Sequence, residues 1–309
     1  MPSSSSVPPG TSIGRLAKGW APEKVRRTFR RLDPDDYPDV GGHSWDEIYG
    51  NGDNMAPGGL YLASRIAQSL NLEPGDRVLD LACGKGDSSI FLAKHFGVSV
   101  ICFDAWTSAT YLSRKIESAG LGDAVIPLDL DATQPLPFPD DYFQAFFCMQ
   151  ALHSFGTDPG IVRRLLAHLK PGGRFGFGGT CFGQEPDERL PEVFQETAGW
   201  DAEYRNYHSP PWWRDLFEET RLVDILGCEE LPDGLVMWED DVLYHGEQAG
   251  WGNAWFEKSK WLIDQLVFSR DHEPYLTHYV GTVEKRDWSA KTAGPRPSAK
   301  GFSARSGNG

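Results

Sequence analysis

Apolar and polar positions along residues 57–181 alternate in blocks. Short runs rich in Val, Ile, Leu and Phe fall at 77–81, 98–103, 124–129, 142–149 and 174–181. The first three are dense in branched aliphatic residues, the composition of strands covered on both faces. Between the runs, helical spacing fits 57–71, 87–96, 107–119 and 158–168. The last of these ends at "LKPGG", where Pro171 and two glycines stop a helix and turn the chain. Strand and helix in this alternation predict an α/β fold, a doubly wound and mostly parallel sheet. Past residue 182 the rhythm changes. "FGQEPDERLPEVFQETAGWDAEYRNYHSPPWW" is polar, aromatic and too long for an ordinary connection, so it reads as a lid or substrate element. A helix at 211–221, a strand near 223–230, a second insert over about 236–270 and a last strand within "YLTHYVGTVEKR" complete the pattern.

The expected organisation is a flexible arm over 1–35, a domain over 36–286, and a disordered tail over 287–309. The domain carries a lid insert at about 183–215 and the second insert at 236–270. The arm holds one short helix near "PEKVRRTFRRL". Composition narrows the class. With 40% hydrophobic residues, the middle of the chain can bury a substantial core. A net charge of −14 opposes a groove for a phosphate backbone, so no nucleic-acid partner is expected. No apolar run approaches the ~20 residues of a membrane helix, and the start "MPSSSSVPPGTS" lacks the apolar core of a secretory signal. Cys83, Cys102, Cys148, Cys181 and Cys228 are odd in number and form no CxxC pair, which reads as reduced thiols in a cytoplasmic protein.

The chemistry starts at "VLDLACGKGDSS", residues 78–89. Gly84 and Gly86 let a backbone approach a ligand closely. Ser89 stands where a dinucleotide GxGxxG turn would place its third glycine, and no GKS or GKT follows. Asp80, just before the turn, would repel a pyrophosphate and suits a cationic ligand.

These residues resemble motif I, E/DxGxGxG, of the class I S-adenosylmethionine (SAM) dependent methyltransferases. Asp80, Ala82, Gly84 and Gly86 occupy the pattern, with Ala82 in place of its first glycine. "VSVICFDAW" resembles the second family segment, and the resemblance implies that Asp104 binds the ribose hydroxyls, flanked by Ala105 and Trp106. "DLDATQPLPFPDDYFQAFFCMQALHSF" resembles the third and fourth, with Asp131 and Ala132 toward the adenine, Asp129 as a rival acid, and Met149 at the end of the next strand. Gln144 stands where the family commonly has Asp, and "LKPGGRFGFGG" resembles the turn into strand five. The likeness spans about residues 44 to 286. It implies a seven-stranded Rossmann-like sheet with lid insertions, SAM as cofactor, and methyl transfer. "MAPGGLYLA", "HSFGTD", "HSPPWW" and "LPDG" are similar to a bacterial subgroup acting on small molecules, which fits a setting in secondary metabolism.

Methyl transfer from a sulfonium is an in-line displacement, so the protein mainly positions the acceptor, excludes water and, for some acceptors, removes a proton. Two histidines are candidate bases. His153, in "MQALHSF", lies just past strand four, where an imidazole can take a proton from the acceptor; a hydrogen bond to lid or backbone is its other reading. His208, in "NYHSPPWW", sits in the lid with Tyr207, Trp212 and Trp213, as a substrate wall or as a capping segment. Tyr49 precedes the core and is a further substrate candidate. Trp238, Trp251, Trp255 and Trp261 read as core or homodimer packing, or as an acceptor pocket. No metal-ligand spacing occurs, and His272 and His278 are scattered. A SAM-using enzyme that adds no methyl, such as one catalysing a cyclisation, and a non-catalytic SAM-binding protein are the alternatives.

Overall fold

A computed structural model of the chain describes residues 20–32, 59–186, 205–271 and 276–287. Tyr49, His272, the Trp261 side chain, residues 187–204 of the lid insert and the tail from residue 288 lie outside them. A sheet of seven strands in the order β3-β2-β1-β4-β5-β7-β6 organises the rest. β1 (Arg77–Leu81), β2 (Ser99–Phe103), β3 (Val125–Leu128), β4 (Phe143–Met149) and β5 (Leu169–Phe182) run parallel. β7 (Leu276–Lys285) enters antiparallel between β5 and β6 (Val223–Glu230). The chain winds outward from β1 in both directions, so a crevice opens at the carboxyl ends of β1 and β4.

Side-chain alternation along the strands feeds a core on each face. Val78, Val100 and Val125 pack with residues of α2 (Gly59–Ser69), α3 (Asp87–Phe96) and α4 (Ala109–Ser118), among them Ile66, Phe91 and Leu112. Leu79, Leu81, Phe146 and Phe175 face the other way, against Val162 and Leu166 of α6 (Pro159–Ala167) and Trp213 and Phe217 of α7 (Pro210–Thr220). A short α5 (Leu152–Phe155) follows β4.

Three outcomes sharpen the sequence reading. β5 starts at Leu169 rather than 174: Leu169 pairs with Phe143 and Arg174 with Ala145, so Lys170–Gly173 loop out. Gly172 takes φ 75° there, and "LKPGG" bulges a strand instead of ending the helix, which stops at Ala167. The second insert is a helix pair, α8 (Gly234–Gln248) and α9 (Asn253–Asp271). The helix expected in the N-terminal arm, α1 (Pro22–Thr28), is docked on that pair, with Val25 and Phe29 buried among Trp238, Val242, Phe256 and Ile263. Trp251 and Trp255 meet edge to face at 5.3 Å, and the Arg26 guanidinium lies 5.5 Å from the Trp251 ring, so these two tryptophans pack within the chain. All five cysteines are free thiols.

Candidate functional site

A cavity of about 600 Å³ opens at the carboxyl ends of the strands. Its first wall is the β1–α3 turn. Alternation puts Asp80 on the Val78 face of β1, toward the start of α3, where Ser88 Oγ and Ser89 Oγ each donate to Asp80 Oδ2 at 2.6 Å. Asp80 is 1% exposed. Burial pushes its carboxyl up to about 6, against the two serine hydrogen bonds that pull it down, with the charge of Asp104 adding to the rise. The turn itself is left-handed at three alternate positions: Ala82 has φ 56°, Gly84 56° and Gly86 85°. Ala82 therefore holds a glycine-like conformation with a Cβ, which explains why it can stand in the glycine's place and at what strain. Gly86 caps α3 rather than lining the cavity; a Cβ there would sit 3.0 Å from Leu112 Cδ2.

Asp104, at the end of β2, knits the turns together. Its Oδ2 accepts from Gly84 N at 3.0 Å, and its Oδ1 accepts from Trp106 N at 2.8 Å and Thr107 N at 2.9 Å. Of the roughly four lone-pair directions of a carboxylate, three are used, which leaves one on Oδ2 for a ligand hydroxyl. Ala105 and Trp106 line the cavity beside it, and the Trp106 ring is 76% exposed at its lip, a free face for a flat base. Asp131, Ala132 and Thr133 line the cavity beyond β3, with Asp131 Oδ1 held by Thr133 N and Oγ1 at 2.8 Å each. The rival Asp129 does not line it; its carboxylate accepts from Ala109 N at 2.7 Å, at the start of α4.

The opposite wall comes from β4, β5 and the inserts. Met149, Gln150 and His153 line it, and the His153 ring meets Tyr207 edge to face at 4.6 Å. Gln150 Oε1 accepts from Thr180 N at 2.8 Å and Thr180 Oγ1 at 3.1 Å, tying β4 to β5 at the cavity floor. Trp238 and Asp241 of α8 and Leu262 of α9 close this side. The structure does not bring His208 or Trp212 to the cavity wall. His208 Nδ1 lies 2.6 Å from Glu185 Oε1 and its ring stacks on Trp212 at 3.5 Å, while Glu185 Oε2 accepts from Ser209 N and Oγ. Burial raises the Glu185 carboxyl, but the His208 and Ser209 hydrogen bonds outweigh it and leave it below the ordinary value. This pair anchors the lid's return into α7. Sequence reasoning missed Ser88, Ser89, Gln150, Thr180 and Asp241, because each gains its role from a strand end or helix that comes from elsewhere in the chain. Ser88 and Ser89 alone carried a signal, two hydroxyls at the start of the helix that follows the Asp80 turn.

Residues 78–173 match the model of a methyltransferase domain. Those residues therefore carry a methyltransferase domain. Phosphoethanolamine N-methyltransferase 3 of Arabidopsis thaliana is 31% identical over 190 residues, 59% of this chain and 38% of that protein. The 2-phytyl-1,4-naphtoquinone methyltransferase of Synechococcus elongatus is 34% identical over 162 residues, 50% of this chain and 62% of that protein. The 27-O-demethylrifamycin SV methyltransferase of Amycolatopsis mediterranei is 31% identical over 145 residues, 43% of this chain and 51% of that protein. The matches thus span less than two thirds of these relatives' lengths. A solved structure, a putative sarcosine dimethylglycine methyltransferase from Galdieria sulphuraria, shares the fold with a TM-score of 0.60 and 19% identity, over 81% of this chain and 92% of that one.

Proposed function

We propose that this chain binds SAM in the cavity and transfers its methyl group to a small-molecule acceptor. The observation that carries the reading is Asp104: a carboxylate at the end of β2 with one lone pair left, beside a positive-φ turn, on a cavity that continues to His153. The residues fit the cofactor by charge and shape. Asp104 takes a ribose hydroxyl, the Trp106 face and Asp131 take the adenine, and Asp80 supplies the negative charge that suits a sulfonium. SAM brings an already activated methyl, so the chain's own work is orientation and exclusion of water. His153, 7% exposed and braced by Tyr207, is proposed to accept the acceptor's proton where one must leave. The relatives' names give phosphoethanolamine, a naphthoquinone and a demethylrifamycin, which share little beyond being small molecules. Secondary metabolism and cytoplasmic residence belong to the same reading.

Calorimetric titration with S-adenosylhomocysteine (SAH), with NADH in parallel, tests the cofactor. Micromolar binding of SAH alone is expected, and binding of NADH alone would overturn the reading. His153→Ala should lower turnover by roughly 10²-fold or more with SAH affinity unchanged. A full-rate variant would remove His153 as the proton acceptor.

A further inference from the structure

The two halves of the cavity differ in charge and in what they leave unpaired. Asp80, Asp87, Asp104 and Asp131 belong to the half under β1, β2 and β3, and each is engaged: by serines, by Lys115 at 2.7 Å, by backbone N–H groups, and by Thr133. Lys85, the sole Lys or Arg among the described lining residues, lies in the turn of that same half. The half under β4 and β5 is walled by His153, Thr180, Tyr207, Trp238, Asp241 and Leu262. Its one formal charge among the described lining residues is Asp241. That side chain is 19% exposed, and it pairs with His245, 3.4 Å away and one helical turn on. No Lys or Arg occurs in residues 33–58, and Arg189 is the lone one in 187–204, so the chain between the described elements has little cationic charge to add.

Trp238 is the second observation. It is 4% exposed, lines the cavity, and its indole N–H is buried with no hydrogen-bond partner among the described residues. The part of Trp238 that meets the cavity is therefore apolar ring rather than its N–H. An anion enclosed here would lose its hydration opposite a carboxylate and face no lysine or arginine among the described lining residues. An ammonium meets a carboxylate and the aromatic side chains of Trp238 and Tyr207.

Resting on the cofactor reading above, we propose that this half of the cavity selects amine-bearing acceptors. Asp241 holds the ammonium, and the Trp238 ring packs against the same molecule. Asp241 is a specificity residue, separate from the groups that hold the cofactor. Acceptors whose only charge is a carboxylate or phosphate are rejected.

The test uses the full chain, methyl-labelled SAM and matched pairs that share a ring and differ in side-chain charge: tyramine with 4-hydroxyphenylacetate, tryptamine with indole-3-acetate, and dopamine with 3,4-dihydroxyphenylacetate. Label transfer confined to the amine members is expected. Asp241→Asn should raise KM for the best amine at least tenfold, with kcat less affected and SAH affinity unchanged. Trp238→Phe, which weakens the ring's attraction for a cation, should raise KM severalfold. Equal turnover of a carboxylate and its amine partner, or an unchanged amine KM in Asp241→Asn, would overturn the proposal. So would SAH binding with no amine methylated, which leaves the cofactor reading standing. Failure of the wild-type chain to bind SAH removes both.

Discussion

Asp104 does two jobs with one carboxylate. It holds three backbone N–H groups that shape the β1 and β2 turns, and it keeps one lone pair for a ligand. Asp104→Ala should therefore weaken SAH binding by tenfold to a hundredfold, about 1.5–3 kcal/mol for one charge-assisted hydrogen bond, and also loosen the turn. Asp104→Asn tests the division, since an amide oxygen still accepts from the N–H groups without the charge. Calorimetry on both variants checks this, and unchanged SAH affinity in Asp104→Ala would remove it from the site. Ala82 offers a second test. Its φ of 56° costs an alanine roughly 1 kcal/mol that a glycine does not incur. Ala82→Gly should leave SAH affinity intact and raise the thermal midpoint slightly; a drop in midpoint would show that the methyl packs favourably. Both residues were legible in the sequence because their motif is local, an acid and small residues within a few positions. Asp241 and Trp238 were not legible as cavity residues. Nothing in "LVMWEDD" says which face of α8 turns toward β4, and only the placement of the insert decides it.

At the scale of elements, the parallel strands were readable to within a residue or two because branched aliphatic runs between helical periods have few other uses. β5 departed because a bulge and a turn use the same residues. The coupling of α1 to the insert was not readable at all, since it joins residues more than two hundred positions apart. Its centre is Glu239, fully buried, which accepts from Arg30 N at 3.0 Å and Arg30 Nε at 2.9 Å and pairs with Arg270 at 3.3 Å. Arg270 also donates to Thr28 O at 3.0 Å, and Arg31 pairs with Asp240 and Glu247. Glu239 lies next to Trp238 and two residues before Asp241, so the arm helix braces this wall of the cavity. Glu239→Gln keeps the shape and removes the charge from two arginines. It should cost about 1–3 kcal/mol and speed amide exchange in residues 22–28 while exchange in β1 and β4 holds. Equal protection of α1 in the variant and the parent would show that the apolar contacts of Val25 and Phe29 suffice.

Across the whole molecule, stability is tied to protonation through Asp80. Its carboxyl titrates near 6 when folded and near 4, ~3.9, in an open chain. Between these values the folded state binds more protons than the unfolded one, so stability falls as the pH rises through that window, by up to about 3 kcal/mol. Asp264, also raised by burial to about 6 against the pull of Lys260, acts in the same direction. His245 adds to it. Its hydrogen bond to Asp241 lifts its pKa against burial, so its stabilisation is present at low pH and lost as the pH rises through the folded value. Glu185 works the other way, and its contribution disappears only as acid protonates it. The net charge of −14 at pH 7 also eases as acids take up protons. The thermal midpoint should accordingly be higher near pH 5.5 than at pH 8, and Asp80→Asn should flatten that slope by raising the midpoint at pH 8. An unchanged slope would mean that Asp80 is ionised at little cost in the fold. The same carboxylate should discriminate the cationic cofactor from its neutral product. The ratio of SAM to SAH affinity should grow as the pH rises through 6 and Asp80 ionises, and it should be independent of pH in Asp80→Asn. The charge that weakens the empty fold at pH 8 is then the charge that favours SAM over SAH, and a buried acid between two serines serves this role better than an exposed one screened by water.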